Sequence, residues 1–80
     1  LDELVISAYH YNIGFLHLAI LGFYEVAEEE LGLALEVRTR MLGETHPSTL
    51  LVVVSMGWTQ SLLGKTKAAV KLLTRWAECM

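Results

Sequence analysis

The chain repeats itself at a step of 42 residues. Identical residues recur at that step in five pairs, which are Leu21 and Leu63, Gly22 and Gly64, Ala27 and Ala69, Leu31 and Leu73, and Glu36 and Glu78. Most of these are small residues, where helices can approach closely, or leucines at helical spacing around them. A helical repeat of this length predicts a solenoid of stacked units, and such folds work by presenting a surface.

Four helices are predicted, with a glycine or a proline at their boundaries. Gly22 and Gly64 break the helical pattern, and Gly43 can take the left-handed conformation that ends a helix. Pro47 has its ring angle preset for the first turn of the following helix. Short connections require consecutive helices to pack antiparallel. The predicted helices span 3–21, 24–42, 47–63 and 66–79.

Apolar spacing favours a helix even where local propensity favours a strand. The β-branched run 52–54 alone would suggest a strand. It lies between the helix start at Pro47 and apolar residues at three- and four-residue steps, so we predict a helix. The second helix has the clearest amphipathic pattern, with an apolar stripe of Val26, Ala27, Leu31, Ala34, Leu35 and Val37.

Composition argues against several classes of partner. The net charge is −3, and no cluster of Lys and Arg forms a stripe that could follow a phosphate backbone. The longest apolar stretch, residues 13–24 interrupted by His17, is about 12 residues, short of the roughly 20 of a membrane span. The first residues lack the basic start and cleavage site of a signal peptide. A single cysteine, Cys79, cannot form an internal disulfide, so we expect a cytoplasmic protein. From the charge and the length of the apolar stretch, we expect it to bind neither nucleic acid nor membrane.

The chain is unusually apolar for its size. Hydrophobic residues make up 54% of its 80 residues, against a usual share of about 45–50%. A chain this short also buries only about 60% of its unfolded surface. We therefore expect some apolar faces to be covered by neighbours, and we interpret the chain as a segment of a longer protein.

The sequence contains no pattern of a catalytic or metal site. His10 and His17 are two helical turns apart, but no Cys, Asp or Glu stands at a suitable step beside them. His46 can cap the loop before Pro47. A glycine-rich phosphate loop and a nucleophile elbow are both missing. We therefore expect no enzyme activity, no metal and no cofactor.

Charged residues on the second and fourth helices have opposite signs. The 42-residue step relates Glu25 and Glu29 to Lys67 and Lys71, and Arg75 continues the basic row. The two rows could meet across stacked units. Alternatively, each could be a solvated face, since exposed ion pairs contribute only about 0.2–1 kcal/mol.

Two segments of the sequence carry a family resemblance. The first is Asn12-Ile13-Gly14 followed by Gly22-Phe23-Tyr24-Glu25-Val26-Ala27-Glu28-Glu29-Glu30-Leu31 and Ala34, and the second is Leu42-Gly43-Glu44-Thr45-His46-Pro47-Ser48-Thr49-Leu50. The first resembles a tetratricopeptide repeat, and the second resembles the linker of its 42-residue form, as in kinesin light chains. The whole is most similar to the C-terminal arrays of fungal receptor-type proteins that carry an upstream NACHT or NB-ARC ATPase domain.

The resemblance implies an all-α fold of two stacked antiparallel helix pairs in a right-handed superhelix, with unit 1 at 1–42 and the linker with unit 2 at 43–80. The first helix of each unit would line a concave groove. Aligning Gly14 with Gly57 implies groove positions at Ala8, Tyr11, Asn12, Phe15, Leu18, Leu51, Val54, Ser55, Trp58 and Ser61. The partner-binding residues that we predict are Tyr11, Asn12, Phe15, Val54 and Trp58.

Each of these binding roles has an alternative. Tyr11, Phe15 and Trp58 could pack between repeats, as aromatic residues at helical spacing usually do. Asn12 could satisfy a nearby helix end instead of the backbone of a bound peptide. Chaperone-type repeats that clamp a terminal carboxylate have Lys, Arg and Asn at such positions, and of these only Asn12 is present, so that specificity is not expected.

The sequence therefore predicts a protein–protein interaction scaffold that binds a peptide or protein segment in an apolar and aromatic groove. The alternative is a structural spacer that only stacks or oligomerises. Two units fall short of the roughly three that a stable solenoid normally needs. Because apolar residues cover much of the first helix, and the last carries Leu72, Leu73 and Trp76, we also expect self-association through the exposed ends.

Overall fold

The computed structural model describes residues 2–79 as four helices joined by short turns. Helix α1 spans Glu3–Leu16 and continues into a π-helical turn at His17–Leu21, α2 spans Tyr24–Leu42, α3 spans Pro47–Leu62 and α4 spans Thr66–Cys79. No strand occurs between residues 2 and 79, so the β-branched run 52–54 is helical as predicted. The all-α prediction is confirmed. The predicted unit ranges include residues 1 and 80, which lie outside the described residues.

Side-chain caps fix the starts of α1 and α3. The Asp2 carboxylate accepts a hydrogen bond from the backbone N–H of Leu4 at 3.0 Å. At α3, the ring Nδ1 of His46 accepts from the N–H of Ser48 at 3.1 Å, and Pro47 occupies the first turn. The predicted capping role of His46 is confirmed.

Gly43 ends α2 in a conformation that differs from the expected one. Its φ of 95° is positive, as predicted, but its ψ of 161° lies outside the left-handed helical region. Gly22, with φ 70° and ψ 18°, does adopt the left-handed conformation. The extended region with positive φ is populated essentially only by glycine. Gly43 therefore leads the chain out of α2 through a backbone conformation that other residues strongly disfavour.

Each helix packs mainly on the next helix in the chain. Helix α1 packs on α2, α2 on α3, and α3 on α4, within dimensions of 33 × 29 × 14 Å. Consequently α3 has a neighbour on each side, whereas α1 and α4 each have one outer side within the described chain. This serial packing is that of a solenoid.

The core lies at the junction of α2 and α3. Its buried cluster consists of Leu31, Ala34, Val52 and Met56, with Tyr11, Leu35 and Leu72 packed against it. Ala27 and Ala69, the predicted sites of close helix approach, are 0% and 3% exposed. The stripe predicted for α2 needs one correction, because Val26 is 42% exposed and lies at the edge of the apolar face.

The two helix pairs are closed by the same contact. A Cβ atom added at Gly14 would lie 3.0 Å from Cγ of Leu31, and one added at Gly57 would lie 2.9 Å from Cγ of Leu73. Leu31 and Leu73 are related by the 42-residue step. The missing side chain at each glycine therefore lets the first helix of the pair approach the second in the same way in both units.

The extra residue of the first unit is accommodated in the π-helical turn. Gly14 and Gly22 are eight residues apart, whereas the matching glycines of the second unit are seven apart. The N–H of Gly22 donates to the carbonyl of His17, five residues earlier, and a π turn of this kind holds one residue more than an α turn. The ring Nδ1 of His17 also donates to the Ile13 carbonyl at 2.8 Å, which fixes the start of the wide turn.

The continuous helical run Glu3–Leu21 is long and apolar enough, by length and composition alone, to cross a membrane, with a mean hydropathy of 1.4 over its best window. It is longer than the apolar stretch considered in the sequence because it also includes residues before Ile13. Helices of a protein core meet the same criterion. Ser7, Gly14 and Leu18 are buried in the described fold, so α1 has a protein neighbour in α2.

Candidate protein interaction site

The five predicted binding residues lie on α1 and α3, which both pack on α2. Tyr11, Asn12 and Phe15 belong to α1, and Val54 and Trp58 belong to α3. We call these five residues the binding face. Trp58 is 53% exposed and Phe15 is 41% exposed, and the glycine alignment relates the two positions. The two units therefore present an accessible aromatic side chain at the same place.

The other three residues of the binding face differ in how firmly they are held. Asn12 is exposed, and it lies within α1 rather than at either end of that helix. Val54 and Tyr11 are half-buried, and Tyr11 packs against the core cluster. The rings of Tyr11 and Phe15 lie 6.1 Å apart, tilted by 37°. Tyr11 thus lies between the core and the exposed Phe15 and packs against the Phe15 ring.

Arg38 fixes the position of Tyr11 and joins three helices. Its guanidinium carbon lies 5.0 Å from the centre of the Tyr11 ring, within the range of a cation–π contact. Nη1 donates to the Ser48 carbonyl at 2.9 Å, and Nε makes a longer contact of 3.4 Å to the Ser7 hydroxyl. The Thr49 hydroxyl donates to the Arg38 carbonyl at 3.2 Å. Arg38 therefore links α1 and the start of α3 to α2.

Sequence reasoning did not identify Arg38, although a signal was present. Arg38 stands seven residues after Leu31 and four after Ala34, so it continues the buried stripe of α2. It is only 9% exposed, and no acidic side chain pairs with it within residues 2–78. A buried charge requires hydrogen bonds to replace water, and the contacts of Arg38 to Ser48 and Ser7 supply them.

Two of the implied groove positions are wrong. Leu18 is 4% exposed and Ser55 is 5% exposed, so neither side chain is available to a partner. Ser55 instead donates from its hydroxyl to the Leu51 carbonyl at 3.1 Å. Helix α3 buries more of its surface than α1 because α2 and α4 cover it on two sides. Leu51 itself is 50% exposed.

A comparison with known families supports the architecture. The tetratricopeptide repeat model matches residues 4–78. The chain belongs to the tetratricopeptide repeat family. Searches of curated proteins and of solved structures gave no significant match. Tetratricopeptide repeats are non-catalytic scaffolds that generally mediate protein–protein interactions, through protein partners or adjacent repeats.

The histidines of this tetratricopeptide repeat chain make structural contacts. The ring Nδ1 of His10 lies 2.6 Å from Oε2 of Glu30, which links α1 to α2. His17 and His46 are occupied by the backbone contacts described above. Among residues 2–79 no group of three His, Cys, Asp or Glu side chains is arranged to hold a metal ion.

Ion pairs join helices both between and within the repeat units, at residues other than those considered in the sequence. Lys65 Nζ lies 2.6 Å from Oε1 of Glu28 and connects the turn before α4 to α2. Arg40 donates two hydrogen bonds to the Glu3 carboxylate, at 2.7 and 3.1 Å. In the two charged rows, Glu25, Glu29, Lys67 and Lys71 are exposed, as expected for solvated faces, whereas Arg75 is half-buried.

Two open depressions lie at the helix turns, away from the binding face. The first, of about 350 Å³, is lined by residues 22–26 and by Leu63. The second, of about 490 Å³, is lined by residues 64–68. The 42-residue step superimposes the two sets of turn residues. They are therefore the same feature of the two tetratricopeptide units, and Leu63, the residue that follows α3, contributes to the lining of the first.

Proposed function

We propose that the chain is a protein–protein interaction scaffold that binds a peptide or protein segment along the binding face, between α1 and α3. The observation that carries the proposal is the pair Phe15 and Trp58, two exposed aromatic side chains at equivalent places of successive units. Aromatic side chains bury large areas at protein interfaces, and Trp is among the residue types most enriched at hot spots.

The contacts that hold the side chains of the binding face in position favour the same function. Tyr11 is held by the core and by Arg38, so its ring and the neighbouring Phe15 ring are positioned before a partner arrives. Preorganised side chains lose little conformational entropy on binding. Asn12 adds an amide that both donates and accepts, which suits the backbone of an extended peptide. The expected ligand is thus an extended segment with apolar or aromatic side chains.

The test is selection of binding peptides from a random display library, followed by affinity measurement with variants. Trp58→Ala should weaken binding of a selected peptide by about 30-fold, the equivalent of a hot spot of ~2 kcal/mol. Leu33→Ala is the matched control, because Leu33 is an exposed apolar residue of α2, outside the binding face, at 42% exposure. Equal affinities of the wild type and Trp58→Ala would refute the proposal.

We also propose the 42-residue, kinesin-light-chain-like type of repeat for this chain. The linker motif supports it, because the glycine-specific conformation of Gly43 and the cap made by His46 explain why these residues are needed there. A cytoplasmic receptor-type parent with an upstream NACHT or NB-ARC domain is the setting that the sequence resemblance favours. The full reading frame tests this, and an unrelated upstream region would refute it.

A second candidate function is that of a stacking or oligomerisation module. The observation in its favour is apolar exposure at both ends of the stack, such as Tyr9 at 61% on α1 and Val70 at 56% on α4. In this function the binding face takes no ligand, and the peptide selection above yields no enriched sequence. Both proposals concern protein partners and involve neither nucleic acid nor membrane.

A further inference from the structure

The binding face continues along α3 on both sides of Trp58. Leu51 stands seven residues before Trp58 and Leu62 four residues after it, so the three side chains lie within about 40° of one another around the helix. Their exposed fractions are 50%, 53% and 46%. We call Leu51, Trp58 and Leu62 the ridge. Because α2 and α4 pack on the two flanks of α3, the ridge stays open even though α3 has a helix neighbour on each side.

The two helices that form the binding face are almost free of charged residues. Glu3, in the first turn of α1, is the only Asp, Glu, Lys or Arg within Glu3–Leu16 and Pro47–Leu62. Arg38 approaches from α2, but it is only 9% exposed and already donates to the Ser48 carbonyl. A charged ligand side chain on this surface would lose water and gain no counter-charge. The charge of the face therefore matches an uncharged ligand.

The polar groups of the binding face that a ligand can reach are mainly hydrogen-bond donors. Asn12 and Trp58 are exposed, so the amide of one and the indole N–H of the other are accessible. The indole only donates, and the amide both donates and accepts. Ser55, which takes the place of Asn12 on α3, is buried and donates its hydroxyl to the Leu51 carbonyl. A fitting ligand therefore has to supply free acceptors.

This requirement distinguishes between ligand conformations. A ligand in the strand conformation exposes N–H as well as C=O groups for a partner strand, and residues 2–79 contain no strand. A helical ligand has paired its own carbonyls, so it would cover the donors of Asn12 and Trp58 without giving them acceptors. A polyproline II segment makes no internal hydrogen bonds, and its prolines lack the N–H. Its carbonyls are the free acceptors that the face requires.

The spacing along the ridge agrees with the same conformation. Leu51 and Trp58 are seven residues apart, which is about 10.5 Å along the axis of a helix. A polyproline II helix returns to the same face every three residues, or about 9.3 Å. Side chains on one face of a strand are about 6.7 or 13 Å apart, so they match less well. Asn12, in the place equivalent to Ser55, stands at a level between Leu51 and Trp58.

We propose that the ligand of the binding face is a proline-rich segment in the polyproline II conformation. It lies along α3 with successive turns against Leu51 and Trp58, and one of its carbonyls accepts a hydrogen bond from Asn12. The inference rests on the proposed function, because it names the ligand class of that same site, and it adds Leu51 as a specificity-determining residue. Aromatic grooves suit such segments, since their backbone is preset and loses little entropy on binding.

The test is an NMR titration of the ¹⁵N-labelled 80-residue chain with four end-blocked nonapeptides. These are a proline homopeptide, the same peptide with two glutamates, an alternating valine–threonine peptide and a leucine–alanine helical peptide. The proline homopeptide should shift the indole N–H signal of Trp58 and the side-chain amide of Asn12. The indole of Trp76, on α4, should not move. The other three peptides should bind at least tenfold more weakly.

Variants of the chain test the individual contacts. Leu51→Ala should weaken binding of the proline homopeptide by about fivefold or more, as expected for an apolar contact at the centre of an interface. Asn12→Asp keeps the size of the side chain but removes its donors, so binding should fall by about tenfold. Leu33→Ala is again the control and should bind as the wild type does. Circular dichroism establishes that each variant folds.

The outcomes separate this inference from the proposed function. Tighter binding of any of the other three peptides, with Trp58 still shifted, overturns the ligand class and leaves the proposed function intact. Library selection of peptides without a proline-rich core does the same. If no peptide shifts Trp58 and the library yields no enriched sequence, both proposals fall. Equal affinities of Leu51→Ala and the wild type for the proline homopeptide overturn the placement along α3.

Discussion

Three glycines inside the helices provide a graded test of how tightly the units pack. Replacing a helix-interior glycine by alanine stabilises a helix by about 0.8–1.0 kcal/mol through propensity alone. Steric contact of the added methyl group opposes that gain. The sign of the net effect depends on whether the neighbouring atoms can move.

Gly14→Ala is expected to destabilise the fold. The added Cβ would lie 3.0 and 3.1 Å from Cγ and Cδ2 of Leu31 and 3.2 Å from Cβ of Glu30. Leu31 is fully buried, and the Glu30 Cβ is fixed to the backbone of α2, so neither can move aside. Overpacking of this kind costs about 1–3 kcal/mol. After the propensity gain, the expected net loss is up to about 2 kcal/mol.

The other two glycines serve as internal controls. At Gly32 the added Cβ would meet only Cε of Met56, at 3.3 Å, and the flexible end of that side chain can shift. Gly32→Ala should therefore stabilise the fold by most of the propensity gain. At Gly57 the contact with Leu73 is shorter, at 2.9 Å, but Leu73 is 37% exposed and can swing toward solvent. Gly57→Ala should lie between the other two, near zero.

The assay is thermal unfolding followed by circular dichroism at one fixed protein concentration, because self-association alters apparent stability. One kcal/mol corresponds to roughly 4–8 °C in Tm for a domain of this size. Gly32→Ala should have the highest Tm of the three variants, Gly57→Ala an intermediate one and Gly14→Ala the lowest. A Gly14→Ala variant that melts as high as Gly32→Ala would refute the reasoning, since it would mean that Leu31 yields as freely as Met56.

Three further outcomes are expected. Gly43→Val should cost about 1–3 kcal/mol of stability because its φ of 95° and ψ of 161° suit glycine alone, and an unchanged Tm would show that the linker accepts another conformation. Ala27→Leu should lower the urea midpoint more than Ala68→Leu, because Ala27 is fully buried and Ala68 only half-buried; equal shifts would contradict the predicted close approach. The hydrogen bond and the charge of Arg40 lower the pKa of Glu3, so the stabilisation by this pair is present above the ordinary carboxyl pKa and is lost as the pH falls through the lowered folded value. Carboxyl titration by NMR should show this shift and its loss in Arg40→Gln, and an unshifted wild type would rule out a persistent pair.

Features that depend on local chemistry were predictable from the sequence. Gly22 and Pro47 set the ends and starts of helices through their own backbone restrictions, so the helix boundaries agree to within one residue, apart from the π turn that closes the first helix. The positive φ of Gly43 was predictable for the same reason. Its ψ was not, because ψ depends on the direction in which the linker must leave α2 to reach α3.

Features that depend on pairs of residues far apart in the chain were not predictable. The His10–Glu30 contact joins residues 20 positions apart, and no local pattern relates them. Burial of Ser55 follows from α3 having helices on two sides, which a comparison with α1 does not reveal. Phe15 and Trp58 could be placed on equivalent positions from the glycine alignment, but their degree of exposure required the packed structure.

The π turn at His17–Leu21 lets the length of the unit change without changing the register of the helix before it. One inserted residue would rotate every later side chain of an α-helix by about 100°, yet here the shift is confined to the last turn before Gly22. The residues of α1 up to Leu16 therefore keep the same register as those of α3, and Phe15 takes the position equivalent to that of Trp58. Length variation at the turn end of such a unit leaves the side chains of the proposed binding face in place, so the two ends of one helix are free to diverge separately.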